Sequence, residues 1–136
     1  MAVFNKLEGI AAIFDMDGTL IDNTPFHFEA WQLLFKKHNM PQITKETYLG
    51  EISGVPIRNT INKYFGDLDA DTLKTIIKEK REFYEEAFKP HLKPINGLES
   101  FLAELKNAGV KIAVATSSNM EDVDFIFNTI PIKKIL

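Results

Sequence analysis

The chain has 136 residues, a formal net charge of −3 and no cysteine. This length fits one compact domain, or a small domain with an insertion, and the absence of cysteine excludes disulfides and thiolate catalysis. Charges of both signs are interspersed, so nucleic acid is not an expected partner. No apolar run reaches the ~18 residues that cross a bilayer, and the N-terminus lacks a signal pattern. We therefore expect a cytoplasmic protein with no membrane partner.

The first predicted elements are a strand and four helices. Residues 9–15 form a short apolar run, which is typical of a strand buried on both faces of a parallel sheet. Apolar residues then recur at helical spacing in four segments, with charged residues on the other side of the longest one. A helix N-cap is expected at Thr24. The four segments are residues 24–39, 44–49, 56–65 and 71–90.

After Pro94 the pattern changes. Asn96 is expected to cap a helix that ends at Gly109, and residues 110–115 form a second apolar strand followed by another helix. Two such strands with helical crossovers predict an α/β fold with a parallel sheet. The intervening helical block is too long for a crossover. We expect a core domain at residues 1–22 and 93–136, and an inserted helical cap at residues 23–92.

The first strand ends in the sequence FDMDGTL, which contains the best candidates for chemistry. Residues two apart in extended backbone point to the same side, so Asp15 and Asp17 can converge at the carboxyl end of the strand. Ligands of open α/β sheets bind at that edge. Two carboxylates aimed at one point need a hard cation between them, which makes Mg²⁺ the natural cofactor. Gly18 allows a sharp turn and a close approach to a ligand.

The motif Asp15-x-Asp17-Gly18-Thr19-Leu20 resembles the signature of the haloacid dehalogenase superfamily. The resemblance implies a Rossmann-like parallel core and phosphoryl transfer to a small phosphorylated substrate. In this reading Asp15 is the nucleophile and a magnesium ligand, and it forms an aspartyl-phosphate. Asp17 is the acid and base and binds the metal as well, while Gly18 and Thr19 lie against the phosphate. Asp17 offers the metal its backbone carbonyl.

A second loop, Thr116-Ser117-Ser118-Asn119, follows the second strand and is similar to the family's second motif. A strand-end hydroxyl followed by backbone amides at a helix start suits phosphoryl oxygens. The resemblance implies that the Thr116 hydroxyl and the Ser117 amide bind the transferring group. The alternative is that Ser118 or Asn119 simply caps the next helix.

The segment after the first motif is similar to the β-phosphoglucomutase-like subgroup, which carries D-x-x-x-x-H-x-x-A-W. Here the pattern begins at Asp22 and includes His27 and Trp31. By this resemblance His27 takes part in proton transfer, although it can equally be a packing residue with one satisfied ring nitrogen.

Two further cap residues are candidates for substrate recognition. Arg58, at a predicted helix start, can bind an anionic group, and Glu51 matches an acidic residue that some pyrophosphatases of the subgroup use toward the metal. An ordinary surface role for Glu51 is the alternative. Ser53 stands where the mutase pattern has lysine, which weakens the mutase interpretation.

The resemblance covers only part of the family's length, because the family's later motif lysine and its acidic metal-binding pair have no counterpart. Lys133 and Lys134 come too early to take that lysine's role. We therefore expect an N-terminal portion of a longer enzyme, with an open hydrophobic sheet edge and little turnover by this chain alone. Self-association, or another chain, can cover that edge.

The predicted function is magnesium-dependent hydrolysis of a small phosphorylated metabolite. The alternatives are a β-phosphoglucomutase-type sugar phosphomutase, a pyrophosphatase, and a non-catalytic fragment that acts through its helical cap. The intact pair Asp15 and Asp17 argues against the last of these, because a binding module gains nothing evident from two adjacent carboxylates.

Overall fold

The computed structural model describes residues 6–134. None of the described helices is long and apolar enough to cross a membrane. A π-helical turn at Tyr48–Ile52 follows the second helix, and short 3₁₀ turns lie at Lys89–His91 and Pro131–Lys134. The strands and α-helices, in chain order, are β1 (Ala11–Phe14), α1 (Thr24–Lys37), α2 (Lys45–Thr47), α3 (Ile57–Phe65), α4 (Ala70–Phe88), α5 (Leu98–Asn107), β2 (Lys111–Val114) and α6 (Met120–Thr129).

The contacts between residues divide the chain into two compact units. Met1–Asn23 together with Leu92–Leu136 form one unit, called here the α/β unit, and Thr24–His91 form the other, called the helical unit. The split lies within one residue of the boundaries expected from sequence. The assignment of the two units as a core domain and a cap domain stays a prediction.

The α/β unit is built on a parallel pair of strands. β1 and β2 pair in register, from Ala11 with Lys111 to Phe14 with Val114. One face of this sheet is half-buried, and on it the Phe14 ring contacts the Phe101 ring of α5 edge to face at 6.3 Å. The parallel α/β arrangement expected from sequence is confirmed.

The other face of the sheet is exposed, so the expectation of strands buried on both faces was wrong for the described residues. Burial alternates along β1 and β2, with every second residue open to solvent. Alternate residues of a strand point to opposite faces, and described elements of this unit cover only one of them. Ile13 is 72% exposed as a result.

The helical unit buries an aromatic and aliphatic core of its own. α1 packs along α4, and α3 also contacts α4. Phe35 is fully enclosed and contacts the rings of Trp31, Tyr64 and Phe65 at 5.3 to 6.1 Å. The apolar stripes predicted by helical periodicity therefore meet in this core.

Three helix boundaries differ from expectation. α1 already includes Thr24, and the helix expected at 44–49 is one α-helical turn that continues as the π-helical turn. Gly97 rather than Asn96 precedes α5, with a φ of 83°. Glycine adopts this left-handed conformation without steric cost, which explains why it replaces the side-chain cap.

Candidate active site

Asp15 follows β1 directly and lies at the carboxyl end of the strand. Its side chain is exposed, and its Oδ1 accepts a hydrogen bond of 2.9 Å from the backbone N–H of Met16. The strand pairing continues at this edge, because the N–H of Ala115 donates to the carbonyl of Phe14 at 2.8 Å. Asp15 and the loop after β2 therefore leave the sheet side by side.

Asp17 is held by two side chains that contact different oxygens of its carboxylate. The Asn23 amide donates to Oδ1, and the Ser118 hydroxyl donates to Oδ2. Ser118 belongs to the loop after β2, so this second hydrogen bond joins the two loops. Both carboxylate oxygens of Asp17 are therefore engaged by side-chain hydrogen bonds.

Asn23 is the completely buried residue at the centre of this loop. Its Oδ1 accepts a hydrogen bond of 3.1 Å from the N–H of Gly18, while its Nδ2 donates to Asp17. Because a backbone N–H can only donate, the contact with Gly18 fixes which end of the Asn23 amide faces each neighbour. The Asn23 side chain thus holds both the backbone of the turn at Gly18 and the carboxylate of Asp17.

The turn after Asp17 has the conformation expected of a glycine-dependent motif. Gly18 has a φ of 71°, and the N–H groups of Thr19 and Leu20 both donate to the carbonyl of Met16. Thr19 is exposed. The Gly18 N–H would have to leave Asn23 before it could contact a phosphate, so phosphate binding by Gly18 and Thr19 stays a prediction.

The loop after β2 is folded on itself by a side-chain hydrogen bond. Thr116 Oγ1 accepts from the N–H of Ser118 at 3.1 Å, which leaves the threonine O–H available as a donor. Ser117 is exposed. Asn119, and not Ser118, caps α6, because its side chain accepts from the N–H of Asp122 at 2.9 Å. Within this loop, Asn119 forms the N-cap of α6, whereas Ser118 contacts Asp17 of the candidate active site.

The oxygen atoms at this edge fit part of a magnesium site. Mg²⁺ is commonly bound by one or two protein carboxylates, with water and substrate oxygens completing its shell. Asp15 offers an exposed carboxylate, whereas the Asp17 carboxylate already accepts two hydrogen bonds. Among residues 6–134 no three or more histidine, aspartate or glutamate side chains are grouped so that they could hold a metal ion by themselves. Asp15 is thus the better side-chain ligand of the two.

In the helical unit, His27 is part of a stacked cluster with Lys80. Lys80 Nζ lies 2.7 Å from His27 Nδ1, and the His27 ring stacks on Tyr84 with the ring centroids 3.9 Å apart. A charged lysine can only donate, so His27 Nδ1 acts as the acceptor. The contact with Lys80 gives one ring nitrogen of His27 a hydrogen-bond partner. The role of His27 in proton transfer stays a prediction.

The two other predicted cap residues are exposed. Glu51 Oε2 accepts from Lys63 Nζ at 2.7 Å and from the Tyr64 hydroxyl at 2.9 Å. These hydrogen bonds, that of Lys63 first, hold the pKa of Glu51 below its usual range. Arg58 lies in the first turn of α3, after Gly54 with its φ of 79°. The structure thus engages Glu51 in a surface cluster and leaves both substrate roles as predictions.

Three residues of these clusters escaped the sequence analysis. Asn23 and Ser118 were not assigned to Asp17, and Lys80 was counted with the charged face of α4, although it is only 6% exposed. Lys80 could have been found by periodicity, because it follows Ile76 by four residues and precedes Tyr84 by four. No pattern in the sequence signals the contact between Ser118 and Asp17.

Fold and site together define an α/β protein that gathers a carboxylate pair and a hydroxyl-bearing loop at the carboxyl edge of a parallel sheet. Residues 12–136 match the family of haloacid dehalogenase-like hydrolases. The chain belongs to this family, as the motif around Asp15 predicted, and the expected fold class is confirmed.

A curated relative and two solved structures give the range of similarity. The phosphorylated carbohydrates phosphatase of Thermotoga maritima is 33% identical over 109 residues, which cover 79% of this chain and 50% of the relative. A family IA, variant 3 hydrolase from Entamoeba histolytica matches with a TM-score of 0.79 at 21% identity, over 93% of this chain and 57% of that one. A β-phosphoglucomutase from Clostridium difficile matches with a TM-score of 0.72 at 21% identity, over 88% and 55%.

The two structural similarities, both at 21% identity, show that the fold is shared. The chain spans about half the length of the curated relatives it matches.

Proposed function

We propose that this chain carries the nucleophile and the acid–base residue of a magnesium-dependent phosphatase that hydrolyses a small phosphorylated metabolite in the cytoplasm. The observation that carries the proposal is the hydrogen bond from Ser118 to Asp17, which joins the loops after β1 and β2 at one edge of the sheet. Family membership and the sugar-phosphate phosphatase among the relatives support hydrolysis.

Asp15 is the proposed nucleophile. Its exposed carboxylate follows β1 directly, with one oxygen oriented by the Met16 N–H and the other oxygen not engaged by that bond. Attack on phosphorus forms a bond from Asp15 to the phosphoryl group and breaks the bond to the substrate's leaving oxygen. Water then attacks the same phosphorus, which releases phosphate and restores the carboxylate.

Asp17 is proposed to move the proton in both steps. It protonates the leaving oxygen in the first and takes a proton from water in the second. Asn23 Nδ2 only donates, so Oδ1 remains an acceptor in either state, whereas the Ser118 hydroxyl can rotate and accept. The proton of Asp17 therefore belongs on Oδ2, the oxygen that faces Ser118.

The remaining groups bind and orient the phosphoryl oxygens. The Thr116 hydroxyl and the Ser117 N–H are the proposed donors, with Gly18 and Thr19 as further contacts. When bound, Mg²⁺ neutralises the phosphoryl charge and polarises the phosphorus toward attack. Asp15 would hold it through its carboxylate, and Asp17 through its backbone carbonyl.

Hydrolysis is favoured over the two other enzymatic functions. A mutase must hold a second phosphate, for which Arg58 is the proposed ligand, and Ser53 replaces the lysine of that pattern. A pyrophosphatase rests on Glu51, whose carboxylate is already bound by Lys63 and Tyr64. Release of phosphate from sugar phosphates and pyrophosphate, and isomerisation of β-glucose 1-phosphate, separate the three.

The nucleophile is tested by trapping the phosphorylated chain, which needs only the first step of the reaction. We expect incubation with acetyl phosphate and Mg²⁺ to add one phosphoryl group, detected by mass spectrometry and lost when EDTA replaces the metal. Asp15→Asn removes the label because an amide is a poor nucleophile. The matched control Asp22→Asn, at an exposed aspartate seven residues further on, keeps it. Label that persists in Asp15→Asn, or that never forms, would overturn the proposal.

A further inference from the structure

Glu51 links the two ends of an exposed segment of the helical unit. Its Oε2 accepts hydrogen bonds from Lys63 Nζ at 2.7 Å and from the Tyr64 hydroxyl at 2.9 Å. Glu51 lies in the π-helical turn that precedes the loop at residues 53–56, and its two donors lie in the last turn of α3, after that loop. The side chains of Glu51, Lys63 and Tyr64, called here the Glu51 clasp, therefore bracket the loop and the start of α3.

The loop inside the clasp has little packing of its own. All four of its residues are exposed, and Gly54 has a φ of 79°, a conformation that favours glycine. Buried residues anchor the segment on either side, Ile52 before the loop and Ile61 after it. Apolar burial thus fixes the two ends, whereas an exposed loop between them opens readily unless other contacts restrain it.

Tyr64 distinguishes the clasp from an ordinary surface ion pair. Exposed lysine–carboxylate pairs add little on their own, because two flexible side chains must be ordered. The Tyr64 ring instead packs against Phe35 with the ring centroids 5.3 Å apart, and Phe35 is enclosed in the core. Burial, and then the hydrogen bond to Glu51, raises the pKa of Tyr64, so its hydroxyl keeps the proton that it donates. The Glu51 carboxylate is therefore tied to a side chain that the core holds in place.

The backbone conformation at Glu51 is itself unusual. The N–H of Ser53 donates to the carbonyl of Tyr48 at 2.8 Å, which is the five-residue spacing of a π-helical turn. Such turns are rare and occur frequently at functional sites. Tyr48 and Ile52 are buried at the two ends of the turn, whereas Glu51 is exposed and contacts α3. The turn thus directs Glu51 toward its two donors.

We propose that the Glu51 clasp positions the loop at residues 53–56 and Arg58, and thereby sets how tightly the helical unit holds an anionic group of the substrate. Arg58 lies in the first turn of α3, between Glu51 and its two donors in sequence. This inference rests on the proposed function and on the binding role predicted for Arg58. It makes Glu51, Lys63 and Tyr64 positioning residues, and it gives Glu51 this role in place of metal binding.

The test compares two phosphoryl donors for the labelling of Asp15. Acetyl phosphate has no second anionic group, whereas glucose 1,6-bisphosphate carries a second phosphate for Arg58. In Glu51→Gln we expect the concentration of glucose 1,6-bisphosphate that gives half-maximal labelling to rise about threefold or more, because fewer molecules hold the loop in its binding conformation. Labelling by acetyl phosphate is expected to stay unchanged. Glu46→Gln, at an exposed glutamate of α2, is the matched control.

The direction of the change separates positioning from simple electrostatics. Removal of a negative charge strengthens the binding of an anion if charge alone acts, so weaker binding in Glu51→Gln requires a positional cause. Lys63→Met is expected to weaken binding as well and to add little to Glu51→Gln in the double variant. Lys63→Arg keeps a charged donor and is expected to bind like the unmodified chain.

Amide hydrogen exchange gives a second measurement that needs no reaction. The N–H groups of Val55 and Asn59 donate to the carbonyls of Ile52 and Pro56 at 3.1 and 3.0 Å, within the segment that the clasp brackets. We expect both amides to exchange faster in Glu51→Gln and at an unchanged rate in Glu46→Gln.

Several outcomes would overturn the proposal. They are a half-maximal concentration of glucose 1,6-bisphosphate that stays the same or falls in Glu51→Gln, an equal loss of labelling with both donors, and unchanged exchange of the two amides. Label from acetyl phosphate but none from glucose 1,6-bisphosphate in the unmodified chain would refute the anion-binding role and leave the proposed function standing. Absence of label with both donors would overturn the proposed function, and the substrate role of the clasp with it.

Discussion

The helical unit and the α/β unit solve the problem of burial in different ways. Helices α1, α3 and α4 close an aromatic core around Phe35 within 68 consecutive residues, Thr24–His91. The α/β unit covers one face of its sheet and leaves the other open. An amphipathic helix has one stripe to bury, which a neighbouring helix can supply, whereas a parallel strand has two faces and needs elements on both.

The two units also bury their polar groups differently. Asn23 in the α/β unit makes hydrogen bonds to Gly18 and Asp17, which belong to the candidate active site. Lys80 in the helical unit contacts His27 and lies over the rings of Trp31 and Tyr84, away from that motif in sequence. Buried polar groups are retained where partners satisfy them. Asn23 and Lys80 are therefore buried because of the hydrogen bonds that they make, and not because of apolar packing alone.

The largest expected effect is the loss of an aromatic ring from the helical unit. Phe35→Ala removes contacts with three rings and is expected to cost about 3 to 5 kcal/mol of unfolding free energy, whereas Phe35→Leu costs less. Urea denaturation followed by the fluorescence of Trp31, the single tryptophan, reports on this unit. The control Ile13→Ala, at a 72% exposed residue of β1, is expected to change stability by no more than about 0.5 kcal/mol. A large loss in the control would contradict the comparison.

A smaller loss of unfolding free energy is expected when the buried side-chain amide of Asn23 in the α/β unit is removed. Asn23→Ala leaves the Gly18 N–H and Asp17 Oδ1 without this partner, which costs about 1 to 3 kcal/mol. Faster hydrogen exchange of the β1 and β2 amides, with unchanged Trp31 fluorescence, would place the loss in this unit. Asn96→Ala, at an exposed turn residue of the same unit, serves as the matched control and is expected to leave exchange unaltered. Equal effects of the two substitutions would argue against a specific role of Asn23.

The smallest expected effect is a pH dependence within the helical unit. Burial tends to raise the pKa of Glu79, but hydrogen bonds from His38 and Lys37 outweigh it, and the pKa lies below its ordinary value of 4.5. The ionised group therefore stabilises the fold above that value, and its contribution is lost as the pH falls through the lowered pKa. Glu79→Gln is expected to cost about 1 kcal/mol or less at pH 7.

The unfolding free energies of the unmodified chain and of Glu79→Gln are expected to become more similar at acidic pH. Below about pH 4 the stability difference between the unmodified chain and Glu79→Gln is expected to shrink, as measured by urea denaturation across the pH range. Lys78 and Glu82 form an ion pair on the exposed side of the same helix, 3.9 Å apart, so Glu82→Gln is a suitable control with a smaller effect at every pH. A difference that grows in acid would contradict the assignment.

Much of the fold followed from patterns that are local in the chain. The apolar runs at β1 and β2 predicted the parallel pair, and helical spacing predicted α1, α3, α4, α5 and α6. These signals are reliable because the period of apolar residues reflects the period of the backbone itself. Helix ends were less certain, as Gly97 and the π-helical turn show, because an end depends on one or two dihedral angles.

The sequence alone determined the family, through the motif at the end of the first strand, and the parallel α/β class, through its apolar runs and helical periodicity. The convergence of Asp15 and Asp17 on one ligand stays a prediction. Only the tertiary structure decided which side chains hold Asp17 and which partner Lys80 has. Ser118 is 101 residues from Asp17, and His27 is 53 residues from Lys80. The exposure of every second residue in β1 and β2 could not be predicted for the same reason. The solvent exposure of a strand residue depends on which other elements pack against its face of the sheet, and the sequence around that residue does not specify those elements.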